Sequence, residues 1–396
     1  MSEFKTYTLE QLCIVGSSKR VHLSDYVQQG IPFYRSKEVI EISSGKNISE
    51  QLFISSEKYF EIKSKFPVPQ ENDVLITAVG TIGEILVVKD PNFYFKDGNL
   101  IWLRNINFDI IDIDYLYYFF KSDLFQKTIK YNNIGAVQKA LTIDFLKTVK
   151  ITLPSLDNQR KLVSVLKSID KKILLNNQIN QELEAMAKTL YDYWFVQFDF
   201  PDQSGNPYKS SGGKMFYNQE LKREIPEGWG VEKLSYFLTI KNGKDHKHLQ
   251  DGKFAVYGSG GVMRTVADYL YSGESILFPR KGTLNNVMYV NEKFWTVDTM
   301  FYSEVNKNNS ALYVFYSVKD IDFNKLNTGT GVPSMTSSIL YDLNIIVPEE
   351  NILEKFNTVV KQNYETIKLN SIQNQELTQL RDWLLPMLMN GQVKVE

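Results

Sequence analysis

The chain repeats itself at about half of its 396 residues, and a duplication of that length constrains the fold more than any single motif could. Asp73-Val-Leu-Ile-Thr-Ala-Val-Gly-Thr-Ile82 lies over Ser275-Ile-Leu-Phe-Pro-Arg-Lys-Gly-Thr-Leu284 at an offset of 202, so that Gly80-Thr81 meets Gly282-Thr283. Further on, Ile151-Thr-Leu-Pro154 lies over Ile345-Ile-Val-Pro348, and Asn180-Gln-Glu-Leu183 is identical to Asn374-Gln-Glu-Leu377, both at an offset of 194. Loops of different length produce such a drift when two copies of one fold diverge. Each half is a variable region followed by a more constant one.

In the first variable region, the apolar runs Val74 to Val79, Ile85 to Val88 and Leu100 to Leu103, separated by Gly83 and Asp97-Gly98, predict strands. Tyr115 to Lys127 and, in the second region, Ala311 to Val318 carry the spacing of packed helices. Each variable region therefore reads as a compact α+β domain. The constant regions read as long helices. After Pro154 the positions Leu162, Leu166, Ile169, Ile173, Asn176, Asn180, Leu183, Ala187 and Leu190 step by 4 and 3, the a/d spacing of a coiled coil, and a seam from Leu353 to Leu384 repeats it. Asn176 and Asn180 coincide with Asn370 and Asn374, and Leu183 with Leu377. A seam asparagine costs stability and fixes register, because only one alignment gives it a hydrogen-bond partner. Exposed asparagines on an ordinary helix remain the alternative at this level. Helices of roughly 35 residues at about 1.5 Å per residue reach about 50 Å, enough to hold two domains apart if they pack antiparallel.

The expected fold class is α+β, with two globular mixed domains separated by two long antiparallel coiled-coil helices and a pseudo-twofold internal repeat. The expected boundaries are a first variable domain at 1–154, a first helix at 155–198, a linker and second domain at 199–349, and a second helix at 350–396.

The formal charge is −1, from 45 basic and 46 acidic side chains, and it lacks the overall basic footprint of a free-standing nucleic-acid binder. Residues 1–154 balance at 18 and 18, and residues 201–349 at 16 and 16, so neither domain is basic. Cys13 is the only cysteine, which excludes a disulfide within the chain and zinc sites built on several thiolates. The polar N-terminus and the lack of 18 successive apolar residues lead to the expectation of a cytoplasmic chain that does not enter membranes.

Catalytic motifs are missing. Ser211-Gly-Gly-Lys-Met215 lacks the hydroxyl and the preceding strand of a phosphate loop, and Gly258-Ser-Gly-Gly261 reads as a tight turn. His22, His246 and His248 form no metal-ligand pattern; His246 and His248 could share a strand face, or stand in a solvated basic loop. Asp90-Pro-Asn-Phe93 is similar to the Asp/Asn-Pro-Pro-aromatic motif of amino-methyltransferases, but Asn92 stands where the second proline belongs, and it reads as a turn.

The order of several phrases resembles the specificity subunits of type I restriction-modification systems. They are Ile225-Pro-Glu-Gly-Trp229 opening the second domain, Asn242-Gly-Lys244, Tyr257-Gly-Ser-Gly-Gly261, and Gly135 with Leu141-Thr142 ahead of Leu153-Pro154. The helices end in Leu190-Tyr-Asp-Tyr-Trp-Phe195 with Phe198-Asp-Phe-Pro201, and in Leu380-Arg-Asp-Trp-Leu-Leu-Pro386 with Gly391. The likeness spans nearly the whole chain. It implies two target-recognition domains on double-stranded DNA, each reading half of a split site, with the two helices as a ruler. It also implies a subunit without catalysis or cofactor of its own: S-adenosylmethionine belongs to a modification (adenine methyltransferase) subunit bound in two copies, and translocation and cleavage to a restriction subunit.

Base edges are read chiefly by Arg, Lys, Asn, Gln, Ser and Thr. The candidates are Arg35 and Lys37 after the run Ile31 to Tyr34, Gln138 and Lys139 in the Gly135 loop, Lys244 and Lys247, and Arg280 and Lys281 before Gly282; each also reads as a solvated surface charge. The helix-pairing candidates are Asn176, Asn180, Asn370, Asn374, Leu183 and Leu377. The competing functional class is a coiled-coil scaffold whose duplicated domains bind protein and not DNA, which the neutral charge would suit.

Overall fold

The computed structural model describes residues 4–132, 140–329 and 331–389, and the chain forms two compact units. One holds the described residues of Met1–Leu175 and Ile372–Glu396; the other is Asn176–Ser371. Each unit thus contains a variable region and a part of both long helices, Leu156–Tyr191 and Glu350–Met389. The packing divides both helices, whereas the order of segments along the sequence keeps each helix whole.

In the first unit, Val74–Thr77 is buried at every residue, as a central strand covered on both faces requires. It lies in a four-stranded antiparallel sheet ordered Ile14–Gly16, Leu100–Arg104, Val74–Thr77, Ile85–Val87. A second sheet runs Tyr26–Val27, Leu52–Ile54, Ile31–Tyr34, Tyr94–Phe95, the last pair being parallel. The helix expected across Tyr115 to Lys127 is two helices, Ile113–Lys121 and Asp123–Asn132. Ser122 makes the break: its backbone is extended, its hydroxyl donates to Phe119 O (2.6 Å), and the same oxygen accepts from Phe125 N (3.3 Å) to open the next helix.

The second unit repeats the first sheet in the same strand order, Leu238–Asn242, Met300–Val305, Tyr271–Pro279, Met288–Thr296, and extends it with Asp251–Gly258 and Gly261–Val266. Its fourth strand corresponds to both Ile85–Val87 and Tyr94–Phe95 of the first unit. There the Asp90–Phe93 turn interrupts the strand: Asn92 N donates to Asp90 Oδ1 (3.0 Å), Phe93 N to Pro91 O (2.8 Å), and Pro91 has no N–H for a ladder. One six-stranded sheet in the second unit therefore stands where the first has two of four.

The repeat also reaches the first strand of each variable domain, at an offset of 225 that the sequence does not display. Lys5–Thr8 pairs with Lys150–Leu153 as Gly230–Lys233 pairs with Asn344–Val347. Leu9 N donates to Val149 O (3.0 Å) as Leu234 N does to Leu343 O (2.9 Å).

Within each unit the long helices run antiparallel. In the first, Leu162 and Leu166 share a core with Leu385 and Leu388, while Arg381 Nη1 pairs with Asp170 (2.9 Å). In the second, Asn370 Nδ2 donates to Asn180 Oδ1 (2.8 Å), Asn363 Nδ2 to Leu183 O (3.4 Å), and Tyr191 meets Phe356 edge-on. Asn176 is fully buried, and Asn374 and Leu377 are half-buried. Buried Gln159 ties the first helix to its domain, donating to Ile110 O and Pro154 O (both 2.9 Å) and accepting from Asp112 N (2.9 Å). The second helix continues through Pro386 to Met389. Among the described residues no helix is long and apolar enough to cross a membrane.

Candidate nucleic-acid interface

Each unit carries a loop cluster built on one backbone pattern. In the first, Ala78 N donates to Asn99 O and Ala78 O accepts from Leu141 N (both 2.9 Å), while Val79 bridges Ala140. In the second, Arg280 N donates to Thr299 O (2.8 Å), Arg280 O accepts from Met335 N (2.9 Å), and Lys281 bridges Ser334. The central strand of each sheet ends here in a Gly-Thr turn, with Gly80 at φ +79° and Gly282 at +92°, a region that favours glycine. The frame is common to both units, and its tip is Ala78-Val79 in one and Arg280-Lys281 in the other.

Around the second tip the loops converge. Gly243 N donates to Met300 O and Lys244 N to Thr296 O (both 2.9 Å), so Lys244 is anchored beside the Val297–Met300 turn that also holds Arg280 and Lys281. Gly243 is required there, because a Cβ would lie 2.0 Å from Val297 O. Ser259 packs on the Gly282 turn and accepts from Asn286 Nδ2 at its carbonyl (2.8 Å). Lys244, Lys247, Arg280 and Lys281 are all exposed, and none makes an ion pair among the described residues. The Arg280 guanidinium lies 5.9 Å from the Phe301 ring centroid, and the residue is exposed.

Arg35 and Lys37 differ. The Arg35 guanidinium binds the fully buried Glu38 (2.6 Å) and Glu50 (3.1 Å), and Lys37 Nζ lies 3.5 Å from Glu50. The hydrogen bond to Glu38 drives the Arg35 pKa still higher, and that from Arg35 holds the exposed Glu50 carboxyl below its ordinary range. Both cations are near the first tip, since Ser36 Oγ donates to Asn99 O (3.2 Å), but their charge is already matched. Gln138 and Lys139 lie outside the described residues.

The structure adds Lys19, which no motif singled out. Gly16 stands opposite Trp102 in the first sheet where Lys241 stands opposite Tyr302 in the second, which puts Lys19 in the place of Lys244. Its signal in the sequence was the offset of 225, hidden by divergence. Among the described residues no group of three His, Cys, Asp or Glu could hold a metal ion. Cys13 is core: burial pushes its thiol from 9.0 up to about 12, and it donates to Leu9 O.

The chain matches the model of the type I restriction modification DNA specificity domain over residues 1–185 and again over 226–379. It belongs to that family. Its similarity extends to the type I restriction enzyme MjaIX specificity subunit of Methanocaldococcus jannaschii, 29% identical over 417 residues covering 96% of this chain and 91% of that protein. The EcoprrI specificity subunit of Escherichia coli is 22% identical over 357 residues, 86% of this chain and 84% of that one. The crystal structure of the type I S subunit from M. genitalium shares the fold, with a TM-score of 0.61, 16% identity, and coverage of 98% of this chain and 96% of that chain. In this specificity subunit the two matched stretches begin 225 residues apart and end 194 apart, the two offsets seen in the backbone hydrogen bonds.

Proposed function

We propose that this specificity subunit selects the DNA of a type I restriction-modification complex by reading an asymmetric bipartite site, one half with each unit. The observation that carries this reading is the duplicated loop frame with unlike tips. A shared frame presents each tip to the same kind of ligand; unlike side chains at the tips make the two half-sequences different. Arg280 and Lys281 are the leading base readers in the second unit, with Lys247 as a further candidate, since arginine and lysine suit the guanine edge in the major groove. Arg35, Lys37, Gln138 and Lys139 are the corresponding candidates in the first. The half-sites are separated by an unread spacer whose length the helix pair sets.

The chain works without catalysis of its own: the methyl donor S-adenosylmethionine sits on a modification subunit present in two copies, and a restriction subunit joins through the complex. Two identical partners are supported by apolar residues exposed at repeat-related positions of the long helices, Leu175 with Leu369 and Met186 with Leu380. The near-zero charge fits this division, because counterion release from phosphates supplies most non-specific affinity and a neutral chain has little of it alone.

Replacing Arg280 and Lys281 by alanine tests the reading through the methylated sequence. The bases of one half-site change or lose definition while the other half stays the same. An unchanged methylation pattern, or loss of both halves in a folded complex, contradicts it.

A further inference from the structure

The two loop clusters differ at their tips and share one exposed cation, Lys19 in the first unit and Lys244 in the second. Each sits three residues beyond the register-matched positions Gly16 and Lys241. Each is anchored by its own backbone N–H, Lys19 to Tyr94 Oη (2.8 Å) and Lys244 to Thr296 O (2.9 Å). Neither makes an ion pair among the described residues; the Lys19 ammonium lies 5.0 Å from the Phe66 ring centroid, which leaves its positive charge unneutralised. The other polar positions diverge. Lys96 N donates to Tyr34 O as Val297 N does to Tyr257 O, which aligns Tyr34 with Tyr257 and sets Arg35 and Lys37 against Gly258 and Gly260. Ala78 and Val79 stand against Arg280 and Lys281.

On the reading given above, we propose that Lys19 and Lys244 are equivalent phosphate contacts that seat each unit on the duplex, and that base readout falls to the diverged positions around them. The phosphodiester is the same at every step of DNA, so a contact to it carries no sequence information and can be kept in both units while the half-sites differ. A base contact at this position would tie both half-sites to a common base. An ammonium is a compact point charge with three donors, and a phosphate oxygen can take any of them without a planar match.

The test uses the assembled complex, titrated across salt with duplexes carrying its methylated sequence and with scrambled duplexes. K19A and K244A each weaken binding to both duplexes by the same factor, flatten the slope of log affinity against log salt by about 0.9, and leave the methylated sequence unchanged. K19R and K244R keep the wild-type slope, which separates lost charge from a disturbed loop. A changed base at one half-site with the slope intact overturns the proposal in favour of base reading, and affinity and slope both unchanged overturn it outright. If the wild-type complex itself shows no preference between the two duplexes, the proposed function fails, whatever the lysine variants do.

Discussion

A Cβ on Gly282 would lie 2.8 Å from Ser259 Oγ, and the residue sits at φ +92°. Gly282→Ala therefore strains the turn carrying Arg280 and Lys281, and it destabilises the chain by about 1–3 kcal/mol. Urea unfolding of the purified variant measures this; an unchanged midpoint would show that the turn relaxes freely. Residue types at the interface were legible in the sequence, but their state was not. Arg35 and Lys37 looked as available as Arg280 and Lys281, yet they are matched by Glu38 and Glu50, and the partner 15 residues away from Arg35 is set by a loop path that no local pattern encodes. Lys19 went unseen because Gly16-Ser-Ser18 before it is unlike Lys241-Asn-Gly243 before Lys244, and only strand register aligns the two.

The long helices were the most legible elements, since a seam stepping by 4 and 3 has few other meanings. Where the elements departed from expectation, one or two residues with strong local preferences decided it. Ser122 bonds to the backbone of Phe119 and Phe125 and splits one apolar run into two helices, and Asp90-Pro91 splits a strand that its counterpart keeps whole. The seam asparagines give a test at this scale. Asn370→Ala leaves Asn180 Oδ1 without the amide that now donates to it at 2.8 Å, and it costs about 1 kcal/mol. Replacing both Asn180 and Asn370 by leucine restores most of that loss, because no polar group is left behind, and loosens register instead. A double variant less stable than Asn370→Ala in urea unfolding would contradict this account of the pair.

Across the whole molecule, the duplication organises both the fold and the proposed reading of DNA. Its two offsets, 225 at the start and 194 at the end of each copy, show where the copies diverged: the start of the domain drifted beyond recognition in sequence while its hydrogen bonds stayed, and the helix kept both. If the helix pair sets the spacer, inserting seven residues into both helices lengthens the unread gap and leaves both half-sites as they were. Altered half-site bases at an unchanged gap would mean that the helices do not measure it. The central claim, two unlike readers on one repeated frame, is met most directly by mapping methylated adenines across the host genome with and without this chain. The account predicts one motif that disappears with the chain, made of two different half-sequences at a fixed separation. A motif that persists without the chain, or one that is continuous or symmetric, would contradict it.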